Sequence, residues 1–465
     1  MSTLRVSNIE AKADASSPTI NEKVKITNSN GDVMLQLDGA TSGITTVGIN
    51  TTTAAFTVDG NQNFNFVGIV TAASFSGNLT GNATGLSGSP TLSGITSVST
   101  TNLTVNGNAY PSAGPLSNRN LIINGAMQVA QRGTSSTLGT YGTVDRFQPA
   151  FIAGAQTQTQ ETLTSGSPYD EGFRYFLRIA NTTASTSANT LRQFSTKLEA
   201  QTIAQSGWNY TSSTSYVTVS FWVRASVGQE YYAYLLTQDG TPYKYSFSLG
   251  TLSADTWTKI TKTVPGNSNL TVNNDNEEGL RLVVSPFYGT DYTDSGVSVD
   301  TWATYSGSTR TPDYTNTWGG TTDATFDVTG VQLEVGSVAT PFEHRSFGDE
   351  LVRCQRYYQK SFDYGTAPGS SISQGAIMHG YTNMPAANYV ARFGAQFRTS
   401  MRAQPTVVTY DTAGNSGKCN YPDTSTNQSF TIIHRGENNF SAETSSLSSS
   451  TDARLYFHYT AEAEL

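Results

Sequence analysis

Aromatic side chains in polar loops are the residues of this sequence with the clearest capacity for binding chemistry. Trp302 and Trp318 lie in the segment DTWATYSGSTRTPDYTNTWGG, together with Tyr305 and Tyr314. A ring in a loop can stack on the face of a sugar, and the same ring can instead close the end of a β-sandwich or a subunit interface. Both interpretations stay open here, and packing in a core or interface is the commoner outcome.

Two later segments, residues 374–389 and 410–440, carry a second set of rings. Their tyrosines and one histidine combine a flat face with a hydrogen-bonding edge, the two properties that a sugar ring requires. We predict them as receptor contacts, together with Trp302 and Trp318, and packing between subunits is the equal alternative. The residues in these two segments are Tyr381, Tyr389, Tyr410, Tyr421 and His434.

Motifs for covalent or metal catalysis are missing from the sequence. It has no Gly-x-Ser-x-Gly, no His-Glu-x-x-His and no phosphate-binding Gly-x-x-x-x-Gly-Lys-Ser/Thr, and its four histidines are far apart. Glu277 with Asp291 or Asp294 could form a glycosidase pair, but any acidic loop offers such pairs. The oxygen-rich loop at 273–279 lacks EF-hand spacing and reads as a solvated turn. We therefore predict no enzyme activity, no cofactor and no metal.

The elements that position these residues should be strands and turns. Only 13% of the 465 residues are charged and 11% are aromatic, and Gly, Ser, Thr and Asn are abundant. A net charge of −8 without a Lys/Arg cluster argues against nucleic-acid binding. We expect no signal peptide, because the N-terminal segment MSTLRVSNIEAKADAS has no apolar stretch. We also expect no membrane insertion, because no apolar run approaches the ~20 residues of a membrane span. The lone cysteines Cys354 and Cys419 are expected as free thiols, although their spacing also permits a bridge.

A run without any Asp, Glu, Lys or Arg extends from Gly60 to Asn118. Its glycines do not follow the collagen period, and its Gly, Asn and Thr content disfavours a helix. One chain buries too little apolar area here to offset the entropy of ordering, so the run is either a disordered linker or an intertwined shaft of several chains. We favour the shaft, because SGITTVGINTTTAAFTVDG and SGITSVSTTNLTVNG repeat one β-like pattern. The predicted core of a homotrimer comprises Phe75, Leu79, Leu86 and Leu92.

From Arg119 onwards, alternating apolar and polar residues predict dense strands. YVTVSFWVRAS places Val217, Val219, Phe221 and Val223 on one face, and EYYAYLLTQDGTPYKYSFSLG predicts a hairpin around Asp239-Gly240. This pattern favours a β-sandwich of jelly-roll type. One helix is predicted over residues 346–358, capped by Ser346, and Leu455, Phe457 and Tyr459 should be buried on one face of a last strand.

Several of these segments resemble a known family. RNLIINGAMQVAQRGTSS with VDRF resembles the opening of a module common in tail-fibre proteins of tailed bacteriophages, and FDVTGVQLEVGSVATPFEHRSFGDELVRCQRYYQ resembles its close. SFWVRAS, DTWTKIT and EEGLRLVV lie between them in the expected order. The segments RVSNIEAKADASSPTINEKVKITNSNGDV and FRTSMRAQPTVV are similar to the two ends of fibres from phages of marine cyanobacteria. The resemblance implies a carbohydrate-binding-module-like jelly roll and a homotrimer.

Together these observations predict an all-β, homotrimeric protein with a fibrous intertwined N-terminal shaft, a jelly-roll β-sandwich and a smaller C-terminal β-domain. The resemblance implies a tail fibre or adhesin located in the virion tail, docked on other tail proteins at its N-terminus and on host-surface glycan at its C-terminus. The alternatives are a glycan-cleaving tailspike and a structural whisker without a receptor. The predicted regions are 1–60 for virion attachment, 61–118 for shaft and neck, 119–345 for the jelly roll and 346–465 for the tip.

Overall fold

The computed structural model describes residues 117–315, 317–384, 389–421, 426–445, 447 and 450–465, preceded by the short stretches 24–27, 29–31, 33–38, 43–45, 104–105 and 108–109. Its contacts divide the chain into two units, Met1–Ile95 and Thr96–Leu465. The predicted shaft residues Phe75, Leu79, Leu86 and Leu92 lie outside the described residues. Their place on a threefold axis therefore stays a prediction.

The described part of the first unit is one small antiparallel sheet. Its middle strand is the segment VMLQLD, which the alternation of apolar residues predicts as a strand. In the second unit, a short strand pair precedes the larger sheets. The strands are β1 (Val24–Thr27), β2 (Val33–Asp38) and β3 (Gly43–Thr45), in the order β1-β2-β3, and then β4 (Thr104–Val105) paired with β5 (Asn108–Ala109).

Two antiparallel sheets packed face to face form the largest body, here called the sandwich. The first sheet has the order β16-β13-β12-β15-β10-β7 and the second β14-β11-β17-β9-β8-β6, so the chain crosses repeatedly from one sheet to the other, as in a jelly roll. Two short helices, α1 (Ser167–Asp170) and α2 (Ala200–Ala204), lie between strands. The strands are β6 (Ser135–Ser136), β7 (Gln148–Ile152), β8 (Ala155–Thr162), β9 (Tyr175–Thr183), β10 (Leu191–Glu199), β11 (Tyr216–Ala225), β12 (Glu230–Thr237), β13 (Tyr243–Thr251), β14 (Thr258–Pro265), β15 (Glu278–Tyr288), β16 (Thr301–Thr304) and β17 (Thr325–Val335).

Alternation along the strands builds the core of the sandwich. Val217, Val219, Phe221 and Val223 of β11 are fully buried between the sheets, as the pattern predicts. The predicted hairpin is confirmed, because β12 pairs with β13 on either side of Asp239-Gly240. The same alternation sends every second side chain to the outer faces of the sandwich.

A second β-body, here called the C-terminal sheet, follows the helix α3 (Phe347–Gln355). The predicted cap of this helix is present, because the Ser346 hydroxyl accepts a hydrogen bond from the Asp349 amide. Strand β25 is central, because it pairs with β18, β19, β21 and β22. The prediction for this strand is confirmed: Leu455, Phe457 and Tyr459 are buried. The strands are β18 (Tyr358–Lys360), β19 (Ile377–Met384), β20 (Arg392–Gln396), β21 (Thr406–Tyr410), β22 (Lys418–Tyr421), β23 (Thr426–Arg435), β24 (Asn439–Thr444) and β25 (Ser450–Glu462).

Buried charges join the sandwich to the C-terminal sheet. The guanidinium of Arg146, on the sandwich, binds the Glu464 carboxylate and donates to the Lys197 carbonyl at 2.6 Å. Arg132 lies 3.2 Å from the same carboxylate. Buried charges of this kind are tolerated only when they are paired and hydrogen-bonded, so the partners must keep this arrangement. The two bodies therefore form one unit.

Two further properties follow from the described residues. Cys354 and Cys419 are buried free thiols, and burial raises the pKa of both. None of the helices that the structure describes is long and apolar enough to cross a bilayer.

Candidate functional site

A row of four side chains crosses the outer face of the second sheet of the sandwich. It is formed by Trp257, Arg224, Asp327 and Arg178, and is here called the Trp257 row. Arg224 of β11 pairs with Asp327 of β17, which pairs with Arg178 of β9, so the strand register itself aligns the three side chains. Trp257 immediately precedes β14, the next strand on the other side of β11. The row therefore runs perpendicular to the strands.

One buried carboxylate organises the row. Asp327 accepts two hydrogen bonds from Arg178, at 2.8 and 2.9 Å, and two from Arg224, at 2.9 and 2.7 Å. The carboxylate is 1% exposed, whereas the guanidinium side chains are 31% and 25% exposed. The hydrogen bonds to Asp327 raise the pKa of Arg178. Two cations share this buried anion, while the carboxylates of Glu161 and Asp255 also act on Arg178.

Aromatic rings surround these guanidinium groups. The guanidinium carbon of Arg224 lies 4.7 Å from the Trp257 ring and 5.4 Å from the Phe176 ring. Phe176 lies two residues before Arg178 on the same face of β9, and its buried ring meets Trp257 edge-on at 5.6 Å. Trp257 itself is half-buried, so part of its indole faces solvent. The contacts with Arg224 and Phe176 hold the indole in one orientation.

A second row of side chains lies beside the first on the same face. Trp222 of β11 pairs with Lys259 of β14, and both contact Glu171. The Trp222 indole donates to Glu171 at 3.0 Å, and the Lys259 ammonium donates to both oxygens of that carboxylate at 2.9 Å. The outer face of the second sheet thus combines a partly exposed aromatic ring with fixed donors and acceptors. Apolar faces of a sugar ring pack on such an indole, while the sugar hydroxyls bind the flanking groups.

The first sheet does not offer such a surface. The loop between β15 and β17 covers its outer face, and the rings of Tyr288, Tyr292 and Tyr314 pack there with Tyr234. The Tyr314 hydroxyl donates to the Ser285 carbonyl at 3.1 Å. A glycan lying over these tyrosine rings would have to displace the loop.

Of the two tryptophans predicted as receptor contacts, Trp318 is buried in the core, and Trp302 is half-buried and packs against it. Trp318 is 0% exposed, and its indole donates to the Thr325 carbonyl at 3.1 Å, so its proposed contact with a receptor is wrong. Trp302 is half-buried, donates to the Pro265 carbonyl at 2.7 Å and packs edge-on against Tyr245. The sequence pattern showed rings in a polar segment, but it could not show that neighbouring strands cover them.

The predicted residues of the C-terminal sheet do not form one surface. Tyr421 is 1% exposed in the core, which corrects its prediction as a receptor contact. Tyr381 and Tyr389 are half-buried and meet edge-on at 6.2 Å. Tyr410 pairs with His458 and Tyr381 with Ala453, so these two tyrosines lie roughly 15 Å apart along β25. His434 is exposed on β23, opposite Ser441.

The carboxylates considered for hydrolysis lie far apart. Glu277 precedes the first residue of β15, whereas Asp291 and Asp294 follow its last residue. An extended strand of this length separates its ends by roughly 35 Å. Glycosidase carboxylates stand about 5–9.5 Å apart, so Glu277 cannot form such a pair with either aspartate.

The oxygen-rich loop at 273–279 has a structural role that its sequence did not reveal. Asn273 binds the Asp239 carboxylate through its backbone and side-chain amides, both at 2.8 Å. Asn276 and Arg402 exchange two hydrogen bonds of 2.6 Å, which adds to the junction with the C-terminal sheet. Among the described residues, no group of three His, Cys, Asp or Glu side chains is arranged to hold a metal ion.

Comparisons with known proteins give weak structural similarities. No protein-family model matches the chain, and neither does any curated protein sequence. The enzymatically active domain of bacteriophage CBA120 tailspike protein 4 aligns at 8% identity and a TM-score of 0.26, over 46% of this chain and 21% of that one. A putative sugar binding protein from Bacteroides thetaiotaomicron aligns at 11% identity and a TM-score of 0.25, over 46% and 99%. A family 11 carbohydrate-binding module from Clostridium thermocellum, in complex with a β-1,3-1,4-mixed-linked tetrasaccharide, aligns at 9% identity and 0.21, over 44% and 98%.

Proposed function

We propose that this protein is a fibre-type adhesin that binds glycan through the solvent-facing sheet of its sandwich. The Trp257 row carries the proposal, because it holds a partly exposed indole beside two half-exposed guanidinium groups. A sugar ring requires an apolar platform and directional donors, and the row supplies both on a rigid sheet. The bonds to Asp327 fix the donors before a ligand arrives, which reduces the ordering cost of binding.

The resemblance to tail-fibre modules of tailed bacteriophages extends this proposal to a virion. In it, the N-terminal region docks on other tail proteins, and the charge-free run forms a shaft in a homotrimer. Each site binds its glycan weakly, and several sites on one particle multiply the avidity. The protein catalyses no reaction. Tyr381, Tyr389, Tyr410 and His434 offer further contacts with the host surface.

Binding of the full chain to host cells tests the proposal. Trp257→Ala should weaken cell adsorption about tenfold or more, because a central aromatic contact is lost. Tyr175→Ala is the matched control: this ring is 37% exposed at the start of β9, outside the Trp257 row, and its removal should leave adsorption unchanged. Both variants should keep the thermal melting temperature of the parent to within a few degrees.

Three results would contradict the proposal. Normal adsorption of the Trp257→Ala variant would indicate that the tyrosines of the C-terminal sheet, and not the Trp257 row, bind the host surface. Shortening of host polysaccharide by the pure protein would favour the alternative of a glycan-cleaving tailspike. A fibre that binds no host cell in any form would instead be a structural whisker.

A further inference from the structure

A cleft on the edge of the first sheet contains a buried ammonium group. The cleft has a volume of about 380 Å³ and lies between β13, β16 and the loop segment 294–298. Lys244 of β13 is 3% exposed and lines it. The cleft lies on the other sheet from the Trp257 row, so the two sites are separate.

The charge of Lys244 is not balanced by a carboxylate. The ammonium donates to the carbonyl oxygens of Thr309 and Arg310, the second at 3.0 Å. Within the part of the chain that the structure describes, Lys244 forms no ion pair. An ammonium has three donors, so one remains after the two carbonyls are satisfied. Burial without a counter-charge lowers the pKa of Lys244 to about 8, which shows that the charged form is held at a cost.

The remaining walls of the cleft are rich in hydroxyl groups. Ser246 follows Lys244 by two residues on the same face of β13 and is fixed by a 2.7 Å bond from its hydroxyl to the Arg310 carbonyl. One carboxylate, that of Asp294, lines the cleft and accepts the Gly296 amide at 2.7 Å. Such groups bind the hydroxyls of a polyol rather than an apolar ligand. The other hydroxyl-bearing residues of the lining are Ser298, Thr301, Thr304 and Thr309.

We propose that this cleft binds a sugar that carries a carboxylate, with the carboxylate paired to Lys244 and the sugar hydroxyls on the surrounding side chains. An anion supplies the counter-charge that the buried ammonium lacks. A neutral sugar would leave that charge unbalanced, and a simple anion would leave the hydroxyl-lined walls unused. The volume suits one or two sugar residues at the end of a chain.

Calorimetry on the full-length protein with glucuronate tests the assignment. Glucuronate should bind. Glucose and acetate should each bind at least about tenfold more weakly than glucuronate. Lys244→Met should weaken glucuronate binding about tenfold or more, since the charge-assisted contact is lost. Lys418→Met removes one lysine from the C-terminal sheet and should leave glucuronate binding unchanged.

A second variant separates loss of binding from loss of folding. Thr304 is exposed on the rim, so Thr304→Trp should block the cleft while Lys244 and the fold stay intact. The proposal is overturned if the parent protein does not bind glucuronate, if the Lys244→Met or Thr304→Trp variant binds it as tightly as the parent, or if acetate or glucose binds equally well. Loss of cell adsorption in Trp257→Ala, with glucuronate binding retained, would support both sites independently.

Discussion

The guanidinium carbon of Arg146 lies 3.5 Å from the centroid of the Tyr357 ring, and this contact joins the sandwich to the C-terminal sheet. Both side chains are buried, and the Arg146 guanidinium also binds the Glu464 carboxylate. Tyr357 in turn donates its hydroxyl proton to Glu199 at 2.5 Å. One arginine thus connects an aromatic ring, a carboxylate and a backbone carbonyl across the junction.

We expect Arg146→Met to lower the free energy of unfolding by about 3–5 kcal/mol, because Glu464 is left buried without this partner. Chemical denaturation of the full chain measures the change. Arg392→Met is the control, since its side chain is 68% exposed and its pair with Glu443 should contribute no more than about 1 kcal/mol. Equal effects of the two substitutions would contradict a stabilising role of the junction.

Phe457 should be among the least replaceable residues of the C-terminal sheet. It is fully buried, and the rings of Phe430 and Phe393 lie 5.0 and 5.4 Å from its own. Phe457→Ala should cost about 3–5 kcal/mol of stability. Tyr456→Ala, at the half-buried neighbouring position, should cost distinctly less, and thermal melting of both variants compares them.

Two strand glycines should respond in opposite ways to alanine. A Cβ on Gly394 would lie 1.8 Å from the Phe440 carbonyl oxygen, whereas a Cβ on Gly380 meets no atom within 4 Å. Gly394→Ala should therefore destabilise the protein by about 1–3 kcal/mol or more. Gly380→Ala should be neutral or stabilise slightly, by reducing the freedom of the unfolded chain. A midpoint for Gly394→Ala that falls no further than the midpoint for Gly380→Ala would contradict the predicted clash at Gly394.

His458 should make the fold sensitive to acid. Its ring stacks on Phe362 at 4.0 Å, and its ring nitrogens lie 3.1 Å from the Ser361 hydroxyl and 3.0 Å from the Ile372 carbonyl. Burial lowers the pKa of His458 below its ordinary value of 6.5. The unfolded chain then takes up a proton that the folded one does not, so the contribution of His458 is present above pH 6.5 and is lost as the pH falls below it.

The His458→Gln variant isolates this effect. The difference in unfolding free energy between parent and variant should shrink as the pH falls from about 7 to 5. Measuring the difference removes the opposing contribution of Asp145, whose pKa is raised to about 6 by burial. A difference that stays constant with pH would exclude His458 as the titrating group.

Local patterns in the sequence predicted the strands well and the surfaces poorly. The alternation around Phe221 and Phe457 required burial of one face, and both residues are in cores. The Trp257 row was missed, because its members come from four separate segments that only the sheet register brings together. Trp318 and Tyr421 looked like loop residues, yet strands distant in sequence cover them. Pairings of this kind leave no signal in a single segment.

The position of β25 has a consequence for how the protein is made. This strand supplies the centre of the C-terminal sheet, but it is the last of that sheet's strands to be translated. Until β25 is synthesised, strands β18, β19, β21 and β22 lack the central strand with which they pair. Such open strand edges readily pair with other chains. A stop codon placed shortly before Leu455 would release a chain prone to aggregate. Translation of β25, rather than the onset of folding, is thus the step that closes these edges.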